Sequence, residues 1–140
     1  MKGYLLDTSI CVAIFRGNRQ VAARMNEVGK ENCYISPIVA AELFFGAYKS
    51  KFVDENLKQT REFVNELQML PLESSIETFA KERARLWDAG QKIEDFDLLI
   101  GCAAKSAGLT VVTHNVKHFN HIEGLKIEDW IEYIELTELK

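Results

Sequence analysis

Three carboxylates stand in stretches that are otherwise almost free of charge. Asp7 lies between Leu5-Leu6 and the run Thr8-Ser9-Ile10-Cys11-Val12-Ala13-Ile14-Phe15. Glu42 is the sole charged residue from Pro37 to Tyr48. Asp97 follows Phe96 and precedes Leu98-Leu99-Ile100-Gly101-Cys102-Ala103-Ala104. Ionised carboxylates are rarely buried without a partner, so each acid needs a cation or a cage of hydrogen bonds. Taken singly, each has an ordinary explanation. Asp7 and Asp97 can cap helices, and Glu42, in mid-helix, would need a buried Arg or Lys. Taken together, three acids in three apolar segments favour one shared pocket. Converging carboxylates raise one another's pKa values. A hard divalent cation, Mg²⁺ or Mn²⁺, suits all-oxygen ligands and removes the repulsion. Such a site activates water and neutralises charge on a phosphoryl group, so the predicted chemistry is phosphodiester hydrolysis. No glycine-rich phosphate loop is present, which argues against nucleotide binding of that kind.

The elements that must position these acids alternate between short apolar strands and helices. Tyr4-Leu5-Leu6 reads as a buried strand ending at Asp7. Asp7 or Thr8 then caps a helix to about Phe15, and a second runs from Arg19 to Val28, stopped near Gly29. Tyr34-Ile35 is a brief strand. Ser36-Pro37 opens a helix to about Tyr48, with Ser as N-cap and Pro in the first turn. Helical spacing continues over 53–67, followed by a strand at Met69-Leu70-Pro71-Leu72. Helices are predicted from Glu77 to Trp87 and from Asp97 to Ala107, the latter ended by Gly108. Leu109 to Thr113 is a buried strand, and 125–136 holds a short strand or helix. The alternation implies an α/β domain with a mostly parallel central sheet, one domain over 1–140. Ligands of such sheets sit at the carboxyl ends of the strands. Asp7 follows the first strand, and Thr113, His114 and Asn115 follow the last clear one, so all should share one edge.

Hydrophobic residues make up 47% of the 140 residues, enough for a core and too many for a disordered chain. No apolar run is long enough to span a membrane. An acidic residue comes too early at the N-terminus for a signal peptide, so the cytoplasm is expected. Cys11, Cys33 and Cys102 are far apart in apolar surroundings and read as buried thiols. The net charge of −4 is unusual for a nucleic-acid binder. It resides in residues 123–140, where six acids face two bases, so residues 1–122 are neutral. Within that neutral body, Lys49 and Lys51, then Lys81, Arg83 and Arg85, are candidate phosphate contacts, each with a solvated helix face as the simpler account.

Leu5-Leu6-Asp7-Thr8-Ser9, Ala41-Glu42-Leu43 with Gly46, Asp97 to Ala104, and Val112-Thr113-His114-Asn115 with Phe119 together resemble the PIN domain. More narrowly, the chain resembles VapC-type toxins of toxin–antitoxin pairs. The likeness covers essentially the whole chain and extends to Gly124-Leu125 and Glu128-Asp129-Trp130. It implies a Mg²⁺- or Mn²⁺-dependent endoribonuclease leaving 5′-phosphate and 3′-hydroxyl ends. Asp7, Glu42 and Asp97 fall on the family's metal-binding acids, and Thr8 or Ser9 on a hydroxyl that helps hold the water shell. A fourth, polar position falls on Asn115, a neutral side chain that would orient water or contact the metal weakly. The family often has Asp where this chain has His118, so no fourth carboxylate is assigned there. Asp95 is a secondary candidate, with a solvated loop acid as the simpler reading.

The resemblance also implies an RNA substrate, a VapB-like antitoxin and a homodimer. Phe44, Phe45, Tyr48, Lys49 and Lys51 lie near Glu42, and the two Phe residues are expected to pack in the core. The 44–48 run and the 53–67 helix are candidate partner surfaces. A zinc site at His114, His118 and His121 is disfavoured because no Cys accompanies them. Two rival readings stand beside the endoribonuclease one. A metal-dependent phosphatase often needs a second Asp two residues after the first, where this chain has Ser9. A non-catalytic PIN-like module binding RNA or protein would be expected to lack a metal acid, and all three acids are present.

Overall fold

The structure, a computed structural model, describes residues 3–131. Five strands form one sheet: β1 (Tyr4–Leu6), β2 (Cys33–Ile35), β3 (Gln68–Met69), β4 (Thr110–Val112) and β5 (Ile127–Glu128). Their order is β3-β2-β1-β4-β5. All four pairings are parallel, with Leu5 opposite both Tyr34 and Val111. The helices are α1 (Thr8–Phe15), α2 (Arg19–Val28), α3 (Pro37–Lys49), α4 (Val53–Glu66), α5 (Ile76–Asp88), α6 (Asp95–Ala107) and α7 (Val116–Phe119). They pack in two groups, α1 to α4 and α5 to α7. This is an α/β architecture with a parallel central sheet flanked by helices, as the sequence predicts.

Local chemistry explains the helix starts. The Asp7 and Ser36 side chains accept the backbone N–H of Ile10 and Val39, each as an N-cap. Pro37 occupies the first turn of α3, where a missing N–H costs nothing. Gly108, with φ +71°, closes α6 in the left-handed conformation.

Several boundaries differ from the sequence expectation. The strand expected at 69–72 is only Gln68–Met69, an exposed edge pair. Leu70 N–H still reaches Ile35 O at 2.8 Å, and Pro71, lacking an N–H, ends the pairing. The helix expected to begin at Asp97 begins at Asp95. The 125–136 segment supplies β5, and residues 132–136 lie outside the described residues. The single turn of α7 is too short to show a periodicity.

Trp130 is fully buried and tilts against Tyr4 at 5.5 Å between ring centroids. The three cysteines are buried and free. Burial pushes the thiols of Cys33 and Cys102 up to about 11 and raises that of Cys11 well above its ordinary value, which makes them inert near neutral pH. No helix among the described residues is long and apolar enough to cross a membrane.

Gly101 ties α6 to the segment after α7. A Cβ at this position would overlap Ile122 Cδ1 and stand 3.4 Å from Phe119 Cδ1, and both side chains are buried. Overpacking costs about 1–3 kcal/mol, against a helical preference for Ala over Gly of about 1 kcal/mol. Gly101→Ala is therefore expected to lower stability by about 1 kcal/mol in denaturant unfolding. A gain in stability would mean that Ile122 moves aside freely.

Candidate active site

The strand order reverses direction between β1 and β4, which opens a crevice at their carboxyl ends. Asp7 follows β1 there and Thr113 follows β4. Asp7 N–H continues the ladder to Val112 O at 3.0 Å, which places the Asp7 side chain at the crevice.

Asp7 is 5% exposed. Its Oδ1 accepts from Ser9 Oγ at 2.6 Å and from Ile10 N–H at 3.2 Å, and its Oδ2 accepts from the Thr113 hydroxyl. Burial pushes the Asp7 carboxyl above its ordinary pKa, and the nearby charge of Asp97 adds to this; the three hydrogen bonds offset only part of the rise. Among the described residues, no Arg or Lys hydrogen-bonds to Asp7. Glu82 on α5 provides the contrast. It too is buried, but Arg85 donates to it at 2.7 and 3.0 Å and Glu123 N–H at 2.9 Å. The Arg85 hydrogen bonds hold the Glu82 carboxyl below its ordinary pKa. Glu82 is a satisfied structural acid, whereas Asp7 retains an uncompensated charge.

Asp97 lies in the first turn of α6, partly exposed, with Oδ2 3.4 Å from His118 Nδ1. Glu42 does not fit the burial expected of it. The apolar run 37–48 buries only Val39, Ala40, Leu43 and Ala47, while Glu42 faces solvent. Its link to the crevice is Thr8, which donates to Glu42 Oε1 at 2.9 Å from the residue next to Asp7. Phe45, expected in the core, is 65% exposed. Asn115 is exposed, its N–H donating to Thr113 Oγ1 at 2.9 Å. Asp95 is the first residue of α6 and not a loop acid, and it pairs with Arg83 at 2.9 Å. Arg85 is spent on Glu82 and on His121 O, which removes it from the candidate phosphate contacts.

The three histidines do not gather into one site. His118 meets Asp97, and His114 Nδ1 lies 3.0 Å from Asp129 Oδ2. Asp129 is a further acid at this site, beyond those that the sequence marks as candidates. Its side chain is nearly buried just past β5, at the same sheet edge. β5 is Ile127-Glu128 after Lys126, with no apolar run before Asp129 to mark it as Asp7 is marked.

Among the described residues, no three His, Cys, Asp or Glu side chains close around one point as an all-protein cage would. The donor set is nonetheless hard oxygen: two carboxylates with coupled charges, a third tied in by Thr8, and hydroxyls. That suits Mg²⁺-type ions, which bind through one or two carboxylates and retain several waters.

Residues 4–125 match the PIN domain. A tRNA(fMet)-specific endonuclease VapC of Shigella flexneri is 30% identical over 131 residues, 93% of this chain and 99% of that one. Ribonuclease VapC2 of Rickettsia felis is 34% identical over 135 residues, 91% of this chain and 97% of that one. A chain in the DNA-bound VapBC structure of Salmonella typhimurium superposes with a TM-score of 0.85 at 32% identity, covering 93% of this chain and 99% of that chain. The matched stretch includes Asp7, Glu42, Asp97 and Asn115 and runs through most of the sheet; the chain belongs to the PIN-domain family, alongside the VapC proteins.

Proposed function

We propose that this chain is an endoribonuclease, the toxin of a type II toxin–antitoxin pair of the VapBC kind. It hydrolyses RNA phosphodiester bonds with Mg²⁺ or Mn²⁺ and so inhibits translation, acting in the cytoplasm as one PIN domain over 1–140. The observation that carries this is the buried, uncompensated Asp7 beside Asp97 at the sheet's carboxyl edge, in a chain whose relatives are ribonucleases.

Asp7, Glu42 and Asp97 are the residues that hold the cation. When bound, a divalent cation neutralises charge on the phosphoryl oxygens and acidifies water. The chain's own groups set the geometry. Ser9, the Ile10 N–H and Thr113 lock both Asp7 oxygens, so the carboxylate is oriented before substrate arrives. Thr8 holds Glu42. His118 stands against Asp97, and the neutral Asn115 amide orients water at the same edge. The partner reading rests on a groove lined by Val12, Phe15, Glu42, Gly46, Asn56 and Gln59, beside the exposed Phe45 and Tyr48. It would take a VapB-like antitoxin segment that reaches Glu42 and blunts the site, and the active form is a homodimer.

The test is cleavage of single-stranded RNA, starting with initiator tRNA, the substrate named for the Shigella relative. Activity is expected with Mg²⁺ or Mn²⁺, to vanish in EDTA and to return when the cation is restored. Cleavage that survives EDTA would overturn the metal site.

A further inference from the structure

A second feature lies next to the crevice, on the α5–α6 side. A cleft of about 420 Å³ runs between the C-terminal end of α5 and the start of α6, with Trp87, Gln91, Lys92, Glu94 and Leu98 on its walls. His118 also lines it, and His118 is the residue against Asp97. The cleft therefore shares a wall residue with the candidate site. Its volume lies within the range of pockets that hold small ligands.

Trp87 is 71% exposed, whereas the chain's other tryptophan, Trp130, is fully buried. The Arg83 guanidinium lies over the Trp87 ring at 5.8 Å from its centroid and is fixed by its 2.9 Å pair with Asp95. That pairing braces the indole from one side and leaves most of the ring open. Arg83 and Lys92 balance Glu94 and Asp95, so the cleft carries no net charge. A neutral, flat ligand with polar edges fits this better than a phosphate. Gln91, Lys92 and Glu94 provide donors and acceptors along the rim.

We propose that this cleft is a nucleobase subsite: it takes one unpaired base of single-stranded RNA, next to the bond cut at Asp97, and stacks it on Trp87. The proposal rests on the ribonuclease reading of the site. Sequence-tolerant capture of single strands works by stacking of splayed bases on aromatic side chains. A base held here brings its flanking phosphodiester towards the acids.

Two readouts test it on the full chain. In the Asp97→Asn protein, titration with a single-stranded oligoribonucleotide is expected to quench the exposed tryptophan's emission, and Trp87→Phe in that background is expected to abolish the quenching. In cleavage assays, Trp87→Ala is expected to raise KM about tenfold with kcat within about threefold, because stacking positions substrate without touching the chemistry. Trp87→Phe should keep KM near that of the unaltered protein. The rise in KM should persist at high salt, since no phosphate contact is lost.

An unchanged KM in Trp87→Ala, or no quenching, while the unaltered protein still cleaves RNA, would overturn the subsite and leave the nuclease reading intact. Quenching by RNA without cleavage by the unaltered protein would support the subsite and remove the nuclease reading. Loss of dimers in Trp87→Ala with unchanged KM would overturn the proposal by assigning this face to a second copy of the chain.

Discussion

Asp97→Asn is expected to lower kcat for RNA cleavage by about a thousandfold while leaving the fold intact. The side chain keeps its shape and its acceptor towards His118, so only the charge is lost. Helix α6 does not depend on it as a cap, since Glu94 occupies the N-cap position. An acid in a first helical turn contributes about 0.3–1 kcal/mol through the helix dipole. Melting temperature should therefore fall by no more than a few degrees. Charge stabilisation in a metal-assisted transition state amounts to several kcal/mol, and about 4 kcal/mol corresponds to a thousandfold. Initial rates on a labelled RNA, with circular dichroism of the same preparations, separate the two effects. A drop of less than tenfold would take Asp97 out of the chemistry. Relief of growth inhibition by the same substitution would tie the lost cleavage to toxicity.

The parallel sheet was legible because its strands are short apolar runs alternating with helices, and β1 and β4 ended within a residue of their expected places. Caps were legible too: Ser36-Pro37 opens α3 as its chemistry requires. The edge strand β3 was overextended because Leu70 and Leu72 are apolar, yet what ends the strand is the absent N–H of Pro71. In the site, Asp7 stood out for a sound reason, since burial does raise its carboxyl. Glu42 stood out for a reason that fails. An apolar run does not bury every face of a helix, and α3 leaves Glu42, Phe45 and Tyr48 in solvent. What ties Glu42 to Asp7 is the Thr8 hydroxyl, a contact across 34 positions that no periodicity reports. Glu82 makes the converse case. It is as buried as Asp7, and its Arg partner three positions on marks it as structural. His118 against Asp97 likewise arises only where α7 meets the first turn of α6, and Asp129 against His114 only where the ends of β5 and β4 meet.

Asp7→Asn should stabilise the cation-free protein at neutral pH while removing its activity. In the folded chain the Asp7 carboxyl has a raised pKa because burial penalises its charge. A raised folded-state pKa means that the native state binds the proton more tightly than the unfolded state. Stability from this group is then greatest at low pH and falls as pH rises from the unfolded value through the folded one. Above that window the buried charge is a standing cost. Asn lacks the charge, is as good an N-cap for Ile10 N–H, and still accepts one hydroxyl bond. The melting temperature of Asp7→Asn should exceed that of the unaltered protein at pH 7, and the gap should narrow as pH falls through the carboxylate range. Added Mn²⁺ should reverse the order. At 100 times its dissociation constant, a ligand specific to the native state contributes about 2.7 kcal/mol, roughly 8 °C for a domain of this size, and only the chain with Asp7 intact should gain it. Thermal melts over pH, with EDTA and with Mn²⁺, measure both effects. Equal stabilisation of the two proteins by Mn²⁺, or a melting difference that does not change with pH, would make Asp7 a helix cap and nothing more. The expected crossover would show instead that Asp7 holds its charge at the expense of the fold, and that the cation repays it.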